Sequence, residues 1–315
     1  MSSATVQPLV RKRTLNPFRD LSPARRREAL YGFLFISPWL IGLVIFTLGP
    51  FIASLILSFT YYSILQPGRW VGFDNYIRAF TNDDLFWISL RNTVVYVVGS
   101  VTIRVILGFV LALLLNTKIR FLALWRTLFY IPSIVPIVAT TIIWLYVLNP
   151  RFGLLNWFLG FFGVPRLRWL TSPDTAMLGL LVMSSWWVGT TMIIFLAGLQ
   201  GIPEDYHDAA KIDGANAWQR LLRITIPLMT PTIFFNVIIG IINAFQVFTQ
   251  ALIMTNGGPL NATRFYMLYL YDNAFGYLPP QMGYASALAW ILFVIIFVLS
   301  LVVVRSSDRW VFYGN

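Results

Sequence analysis

Four amide side chains in one apolar stretch are the residues of this chain best suited to bind a small polar solute. Asn236, Asn243 and Gln250 are spaced by seven residues. Gln246 follows Asn243 by three residues, so the spacing predicts that all four lie close to one face of a helix, with Phe245 beside them. Such a set suits a sugar, because amides hydrogen-bond its hydroxyls while aromatic rings cover its apolar faces. The alternative is that the amides bind another helix.

A second group of side chains with similar chemistry falls within two helical turns. Trp186 and Trp187 offer indole rings that can stack on a pyranose ring. Ser184, Ser185 and Thr190 add three hydroxyls. The alternative interpretation is that the two tryptophans anchor a helix at a membrane–water interface.

Catalytic or metal chemistry has little support in the sequence. The chain has no cysteine and a single histidine, His207, so it cannot form disulfides, thiolate metal sites or a histidine cluster. It also lacks the Gly-x-x-x-x-Gly-Lys-[Ser/Thr] phosphate loop. Asp83 and Asp84 are a carboxylate pair, which we expect to cap a helix on a solvated loop. We therefore predict no catalytic residue, and no metal or cofactor bound by this chain.

The elements that must position these side chains are membrane-spanning helices. Hydrophobic residues make up 58% of the 315 residues, charged residues make up 11%, and the mean hydropathy is +0.72. Soluble domains average roughly 45–50% apolar residues, whereas a spanning helix needs about 20 consecutive apolar residues. We therefore predict an all-α membrane protein with six transmembrane helices, at residues 30–62, 93–115, 128–148, 176–198, 232–254 and 285–304.

The distribution of basic residues predicts the orientation of these helices. With the N-terminus inside, fifteen Lys and Arg fall on inner segments and seven on outer segments. Because inner loops of membrane proteins are enriched in Lys and Arg, both termini are predicted to be cytoplasmic. The net charge of +11 therefore reflects topology, and we expect no nucleic acid partner. We divide the chain into a basic tail (1–29), one six-helix transmembrane domain (30–305) and a C-terminal tail (306–315).

Arg104 is the one basic residue near the middle of a predicted span. An unpaired charge at that depth costs several kcal/mol, so we expect it to have a partner or water. It either lines a polar pathway or binds headgroups, carbonyls or another helix.

The loop between the fourth and fifth spans, residues 201–231, carries strong local signals. Pro203 suits a first helical turn, and Glu204 and Asp205 complement the positive end of a helix dipole. Gly214 can supply a left-handed stop after Asp213. The sequence therefore predicts a short helix, a glycine turn and a second helix.

Each predicted helix of this loop has a small apolar face. Tyr206, Ala209 and Ala210 form the face of the first helix, and the second helix adds Trp218, Leu221 and Leu222. A rigid protruding element of this kind can transmit force from a separate motor protein. The alternative is an interfacial helix that lies on lipid headgroups.

The same loop resembles the EAA loop of binding-protein-dependent ABC permeases, whose usual form is Glu-Ala-Ala, Gly, Ile and Leu-Pro. Here the pattern reads Asp208-Ala209-Ala210, Gly214, Ile224 and Ile226-Pro227, and it departs at Asp208 for Glu and Ile226 for Leu. Landmarks elsewhere are similar to the carbohydrate-uptake branch, on the side of the maltose-type F subunits. They are Gly72-Phe73-Asp74-Asn75-Tyr76, Arg91-Asn92-Thr93, Gly198-Leu199-Gln200-Gly201-Ile202-Pro203 and Thr255-Asn256-Gly257-Gly258-Pro259.

This resemblance implies a multi-pass subunit of the bacterial inner membrane that forms half of a sugar pathway by alternating access. Its implied partners are a second homologous permease, two ATP-binding cassette subunits that hold ATP and Mg, and an extracytoplasmic sugar-binding protein. The loop would be a cytoplasmic coupling helix, and the fifth span, with Asn243 and Gln246, would contact sugar. The residues implied for ATPase coupling are Glu204, Tyr206, Asp208, Ala209, Ala210, Asp213 and Gly214.

Three other functions remain open at this point. The same architecture could import glycerol-3-phosphate or another polyol derivative, with Arg104 as the basic residue at depth. A membrane enzyme acting on lipid-linked sugars would need paired carboxylates, for which Asp83 and Asp84 are the hint. A stand-alone channel or secondary transporter is disfavoured, because no Asp or Glu falls inside the six predicted spans.

Overall fold

The computed structural model describes residues 23–64, 66–117 and 120–312, and most of these residues are helical. The chain divides into two compact units, Met1–Ile56 and Leu57–Asn315. Most of the predicted basic tail, residues 1–22, and the last three residues of the predicted C-terminal tail lie outside the described residues.

The first unit is helical throughout its described part. Helix α1 (Pro23–Gly42) continues through a π-helical turn (Leu43–Leu48) into α2 (Gly49–Ser58). The whole run is long and apolar enough to cross a membrane. It ends at Ser58, four residues before the predicted end of the first span.

A small β-hairpin follows and corrects the all-α prediction. Strands β1 (Thr60–Ser63) and β2 (Gln66–Trp70) pair antiparallel, with Thr60 opposite Trp70. Hydropathy alone predicts that the first helix continues to residue 62. Thr60, Tyr61 and Tyr62 are residues that favour strands, and they form β1 instead. The hairpin is fixed to helix α3 (Asp74–Thr81) by Asn75, whose amide donates to the carbonyls of Ser58 (2.8 Å) and Thr60 (2.9 Å).

Four further runs in the second unit are long and apolar enough to span a membrane. The first is α4 (Asp84–Leu115), which packs against α8 (Pro173–Ser184), α9 (Val188–Gln200) and α12 (Ile226–Phe245). Helices α8 and α9 form one run through a 3₁₀ turn (Ser185–Trp187), and the last span is α15 (Met282–Ser307). Helix α4 therefore lies at the centre of the packing.

The predicted third span, at 128–148, is not a straight helix. Helices α5 (Leu122–Ile134) and α6 (Ile137–Val147) meet at an angle of 100°. The break falls at Val135 and Pro136, because proline disfavours a helical conformation in the residue before it. Among the described residues the count of spans is therefore five, or six if this bent pair is one broken span.

Short helices fill the remaining segments. They are α7 (Leu154–Gly160), α10 (Glu204–Ile212), α11 (Ala217–Arg220), α13 (Thr249–Met254) and α14 (Tyr266–Tyr271). Tyr266 links α14 to two spans, since its backbone N–H donates to Thr93 Oγ1 and its hydroxyl donates to the carbonyl of Leu288, both at 2.8 Å. Helix α14 is thus fixed between α4 and α15.

Candidate functional site

The loop after α9 folds as its local signals predict. Helix α10 begins at Glu204, directly after Pro203, which occupies the N-cap position rather than the first helical turn. Gly214 has φ +79°, the left-handed conformation that glycine adopts without strain. Its N–H donates to the carbonyl of Lys211 (3.1 Å), and the N–H of Ala215 donates to that of Ala210 (2.8 Å). The predicted helix and glycine stop are confirmed.

The second helix of the loop is held by a capping box. The Asn216 side chain accepts a hydrogen bond from the backbone N–H of Gln219, and the Gln219 side chain accepts one from the backbone N–H of Asn216, both at 2.8 Å. A π-helical turn (Leu221–Thr225) then joins α11 to α12 without interruption. The second helix of the loop therefore continues into the predicted fifth span as one helical run, Ala217–Phe245.

The loop exposes three large apolar side chains. Tyr206 is 54% exposed, Trp218 is 66% exposed, and Ile212, which spacing did not single out, is 88% exposed at the C-terminal end of α10. Of the two predicted contact alanines, Ala209 is exposed and Ala210 is half-buried. Residues 204–220, which we call the knob, therefore form a firm projection with three large apolar side chains at its surface.

The charged residues of the loop are exposed as well. Glu204 and Asp213 lie at the two ends of α10. Asp208 forms an ion pair with Lys211 at 2.7 Å, with both side chains more than half exposed. The hydrogen bond from Lys211 and its charge hold the pKa of the Asp208 carboxyl below its usual range. Asp208 is therefore ionised at neutral pH, and its exposed carboxylate remains accessible to a partner.

The four amides of the predicted fifth span, Asn236, Asn243, Gln246 and Gln250, are called the amide stripe. They do not lie on the one continuous helical face that the sequence predicts. Helix α12 ends at Phe245, and Gln250 lies on the separate helix α13, so the spacing of seven residues does not extend across the break. Phe245 is 2% and Val247 is 5% exposed. Gln246 is the C-cap of α12, so Phe245 enters the core from the helix and Val247 from the break after it.

The four amides also differ in exposure. Asn236 is buried and donates to the carbonyl of Thr232, one turn earlier, at 2.9 Å. Asn243 and Gln246 are exposed, and Gln246 donates to the carbonyl of Ile242 at 3.2 Å. Gln250 is half-buried. Asn243 and Gln246 are therefore the two amides of this set that present a surface to a solute or to another subunit.

Both tryptophans of the predicted fourth span lie in the 3₁₀ turn between α8 and α9. Trp186 packs edge-to-face on Trp144 of α6, with ring centroids 5.8 Å apart. The indole N–H groups of both residues are buried and have no hydrogen-bond acceptor among the described residues. Trp187 is half-buried and Thr190 is exposed. The structure thus adds Trp144 to this set, which no sequence spacing could do because it lies 42 positions from Trp186.

The carboxylate pair at the start of α4 has a structural role that includes the predicted cap. Asp83 is the N-cap of α4 and accepts from the backbone N–H of Phe86 at 3.0 Å. Its second carboxylate oxygen accepts hydrogen bonds from the hydroxyls of Tyr269 and Tyr284. The cap prediction is confirmed, and the two tyrosines, distant in sequence, are the part that spacing missed.

Arg104 makes a local contact. Its Nε donates to the carbonyl of Ser100, one turn earlier on α4, at 3.3 Å, and the side chain is half-buried. The described residues contain no group of three or more His, Cys, Asp or Glu side chains that could hold a metal ion.

Comparisons with known proteins agree on one family. Residues 104–312 match the family described as binding-protein-dependent transport system inner membrane component. The chain is 43% identical to a probable ABC transporter permease, YesP of Bacillus subtilis, over 92% of this chain and 94% of that one. It is 33% identical to the lactose transport system permease LacF of Rhizobium radiobacter, over 89% and 94%.

A solved structure has the same fold. The chain superposes with a TM-score of 0.76 and 25% identity on a subunit of a bacterial ABC transporter that imports the acidic polysaccharide alginate, covering 90% of this chain and 96% of that one. The chain is a multi-pass membrane protein that belongs to the family of inner membrane components of binding-protein-dependent transport systems.

Proposed function

We propose that this chain is the permease subunit of an ATP-driven sugar importer of the bacterial inner membrane and forms half of its translocation pathway. Relatives named for lactose and for alginate support the sugar class. The observation that carries the proposal is the exposed helix–turn–helix knob, residues 204–220, which has the EAA pattern and a firm connection to a spanning helix.

In this proposal the knob docks on a separate ATP-binding cassette subunit. Tyr206, Ile212 and Trp218 supply apolar contact area, and Asp208 and Glu204 supply charge. Two such ATPase subunits hold ATP and Mg, and this chain binds no cofactor. The knob faces the cytoplasm, as do both termini.

The continuous run Ala217–Phe245 gives the knob a direct mechanical connection to the pathway. With a rise of about 1.5 Å per residue, Trp218 and Asn243 lie roughly 37 Å apart along it. Because a helix is stiff, a displacement of the knob tilts or shifts the far end of α12. ATP-driven closure of the motor subunits would thereby rock this chain against a second permease subunit and alternate the access of the pathway.

Sugar recognition in this proposal falls to the exposed amides at the far end of that run. Asn243 and Gln246 offer hydrogen bonds to hydroxyls, Gln250 adds a half-buried amide, and Trp186 brings an indole N–H that lacks an acceptor among the described residues. An extracytoplasmic sugar-binding protein delivers the solute in this proposal, and the family's description as binding-protein-dependent supports a partner of this kind. No ionised side chain is required for a neutral saccharide.

The test is substrate-stimulated ATP hydrolysis by the full complex in nanodiscs, with its binding protein and a panel of neutral and acidic oligosaccharides. Gly214→Pro should abolish the stimulation while the complex still assembles, because proline cannot adopt φ +79° or donate the N–H that caps α10. Gly214→Asn is the matched control, since asparagine tolerates the left-handed conformation and the site has open space. Full stimulation in Gly214→Pro would contradict the assignment of the knob, and no stimulation by any saccharide would contradict the sugar class.

A further inference from the structure

The segment between α6 and α8 exposes an unusual amount of aromatic surface. Leu154, Trp157, Phe158, Phe161 and Phe162 are each 53–71% exposed. Trp157 packs on Phe161 with ring centroids 4.7 Å apart, and Phe158 packs on Phe162 at 5.4 Å. These rings form an organised apolar surface over α7 and the turn after it, and water is a poor environment for a patch of this kind.

The segment is internally fixed. The buried side chain of Asn156 donates to the carbonyl of Leu167 at 2.9 Å and accepts from the backbone N–H of Leu167 at 3.2 Å. It also accepts from the indole N–H of Trp169 at 2.8 Å. Asn156 thus joins α7 to the stretch that returns toward α8, so the aromatic surface and its borders have a set geometry.

Three arginines border this surface. Arg151 and Arg166 line a cleft of about 690 Å³ together with Leu154 and Trp157. The same two arginines and Arg168 line an adjoining cleft of about 630 Å³. All three side chains are exposed, and no carboxylate of the described residues forms an ion pair with them.

We propose that residues 151–168 lie in the membrane–water interface and that Arg151, Arg166 and Arg168 bind the phosphate of an anionic phospholipid. A lipid matches both parts of the site, because acyl chains cover the aromatic rings while the headgroup phosphate takes charge-assisted hydrogen bonds from the guanidinium groups. An acidic protein loop would satisfy the arginines and leave the rings uncovered. A pyranose ring stacks on one aromatic ring at a time, whereas acyl chains cover all five exposed apolar side chains. The site is remote in sequence from the amides proposed to contact sugar, and it requires only that the chain resides in a bilayer.

The first test measures lipid binding by the full transporter complex. Phosphatidylglycerol and phosphatidylcholine are titrated into the detergent-solubilised complex, and bound lipids are counted by native mass spectrometry. The unmodified protein should prefer phosphatidylglycerol, and Arg151→Gln/Arg166→Gln should weaken its binding by about tenfold, with a smaller dependence on salt. Arg69→Gln/Arg91→Gln removes the same charge from exposed positions outside the segment and should leave the preference intact. Equal loss in both double variants, or no preference at all, would overturn the proposal.

The second test identifies what covers the aromatic surface. Since the chain has no cysteine, Phe161→Cys gives one nitroxide label, and Val298→Cys on α15 gives a reference label on an exposed position of a spanning helix. In the assembled complex in nanodiscs, the label at 161 should be accessible to oxygen and shielded from a water-soluble nickel chelate. Shielding from both reagents would mean that a protein subunit covers the surface, and access to the chelate would place it in water. Either result would overturn the proposal.

Discussion

The knob at 204–220 and the amide stripe at 236–250 are joined by the helical run Ala217–Phe245, yet the knob folds as the sequence predicts and the stripe does not. The knob is built from contacts within about five residues, such as the Asn216–Gln219 capping box and the N–H of Ala215 on the carbonyl of Ala210. The stripe is interrupted where Phe245 and Val247 enter the core. Local hydrogen bonding therefore shapes the knob, and packing of distant helices shapes the stripe.

The sharpest way to break this contrast is to disturb a close contact between helices that are distant in sequence, here α9 and α5. A Cβ at Gly189 of α9 would lie 2.4 Å from the carbonyl oxygen of Phe129 and 2.9 Å from the Cα of Tyr130. Because backbone atoms cannot move aside, Gly189→Ala should cost about 1–3 kcal/mol and lower the melting temperature of the purified protein strongly. Gly240→Ala is the matched control, since its Cβ would meet only the Val101 side chain at 3.3 Å. Equal melting of the two variants would show that helix contact does not shape this region.

Substitution of the exposed amides of the stripe should weaken the stimulation of ATP hydrolysis by sugar and leave the melting temperature unchanged. Asn243→Ala/Gln246→Ala should raise the sugar concentration that half-maximally stimulates ATP hydrolysis by about 30-fold, since each of the two lost hydrogen bonds is worth ~1 kcal/mol. Its melting temperature should stay constant because both side chains are exposed. The buried Asn236→Ala should show the reverse pattern, with lower stability first. If all three amides affected only stability, they would be structural.

A change in the knob should be purely local. Asn216→Ala removes the side-chain oxygen that accepts the backbone N–H of Gln219, and it leaves the bond from its own backbone N–H to the Gln219 side chain. The loss should cost α11 about 1 kcal/mol and speed amide exchange over residues 217–220. Stimulated ATP hydrolysis should fall a few-fold, while the melting temperature of the spans stays the same. Faster exchange in α12 as well would mean that knob and span form one cooperative unit.

The smallest expected effect concerns the ion pair on α10. Lys211→Gln removes the charge and the hydrogen bond that lower the pKa of Asp208, so that pKa should rise toward its ordinary value of about 4. A carboxyl group whose pKa is lower in the folded protein stabilises the fold at pH values above its pKa in the unfolded chain. This stabilisation is lost as the pH falls through its pKa in the folded protein. Because Asp208 is exposed, the melting temperature should not change between pH 6 and 8. Titration of ¹³C-labelled aspartate by NMR in the two proteins measures the shift, and an unchanged Asp208 would contradict this ion pair.

Much of the fold can be predicted because the features that determine it, apolar runs and helix caps, each lie within a short stretch of sequence. Apolar runs of membrane-crossing length located the long helices, and Asp83 was correctly expected to cap α4. The break at Val135 and Pro136 carried a signal in its proline, but hydropathy averages over such a break. Hydropathy also missed strand β1 (Thr60–Ser63) of the hairpin, since its aromatic residues score as apolar in either conformation.

The candidate site also has one part that short stretches of sequence predict and another that they do not. Glycine at 214, acidic residues at the start of α10 and the EAA pattern marked the knob in the sequence, and no distant residue was needed to form it. By contrast, Trp144 and Trp186 are far apart in the sequence, and so are Asp83 and Tyr284, although the residues of each pair are in contact. Such pairs arise only when helices pack.

By itself the sequence determined that this chain is a helical membrane protein with a helix–turn–helix at residues 204–220, because hydropathy, capping and glycine conformation act over a few residues. Only the tertiary structure decided which amides are exposed, where α12 ends, and that aromatic rings and arginines of residues 151–168 share one surface. These features depend on which side chains the packed helices bury, and burial is a property of the whole bundle rather than of any segment.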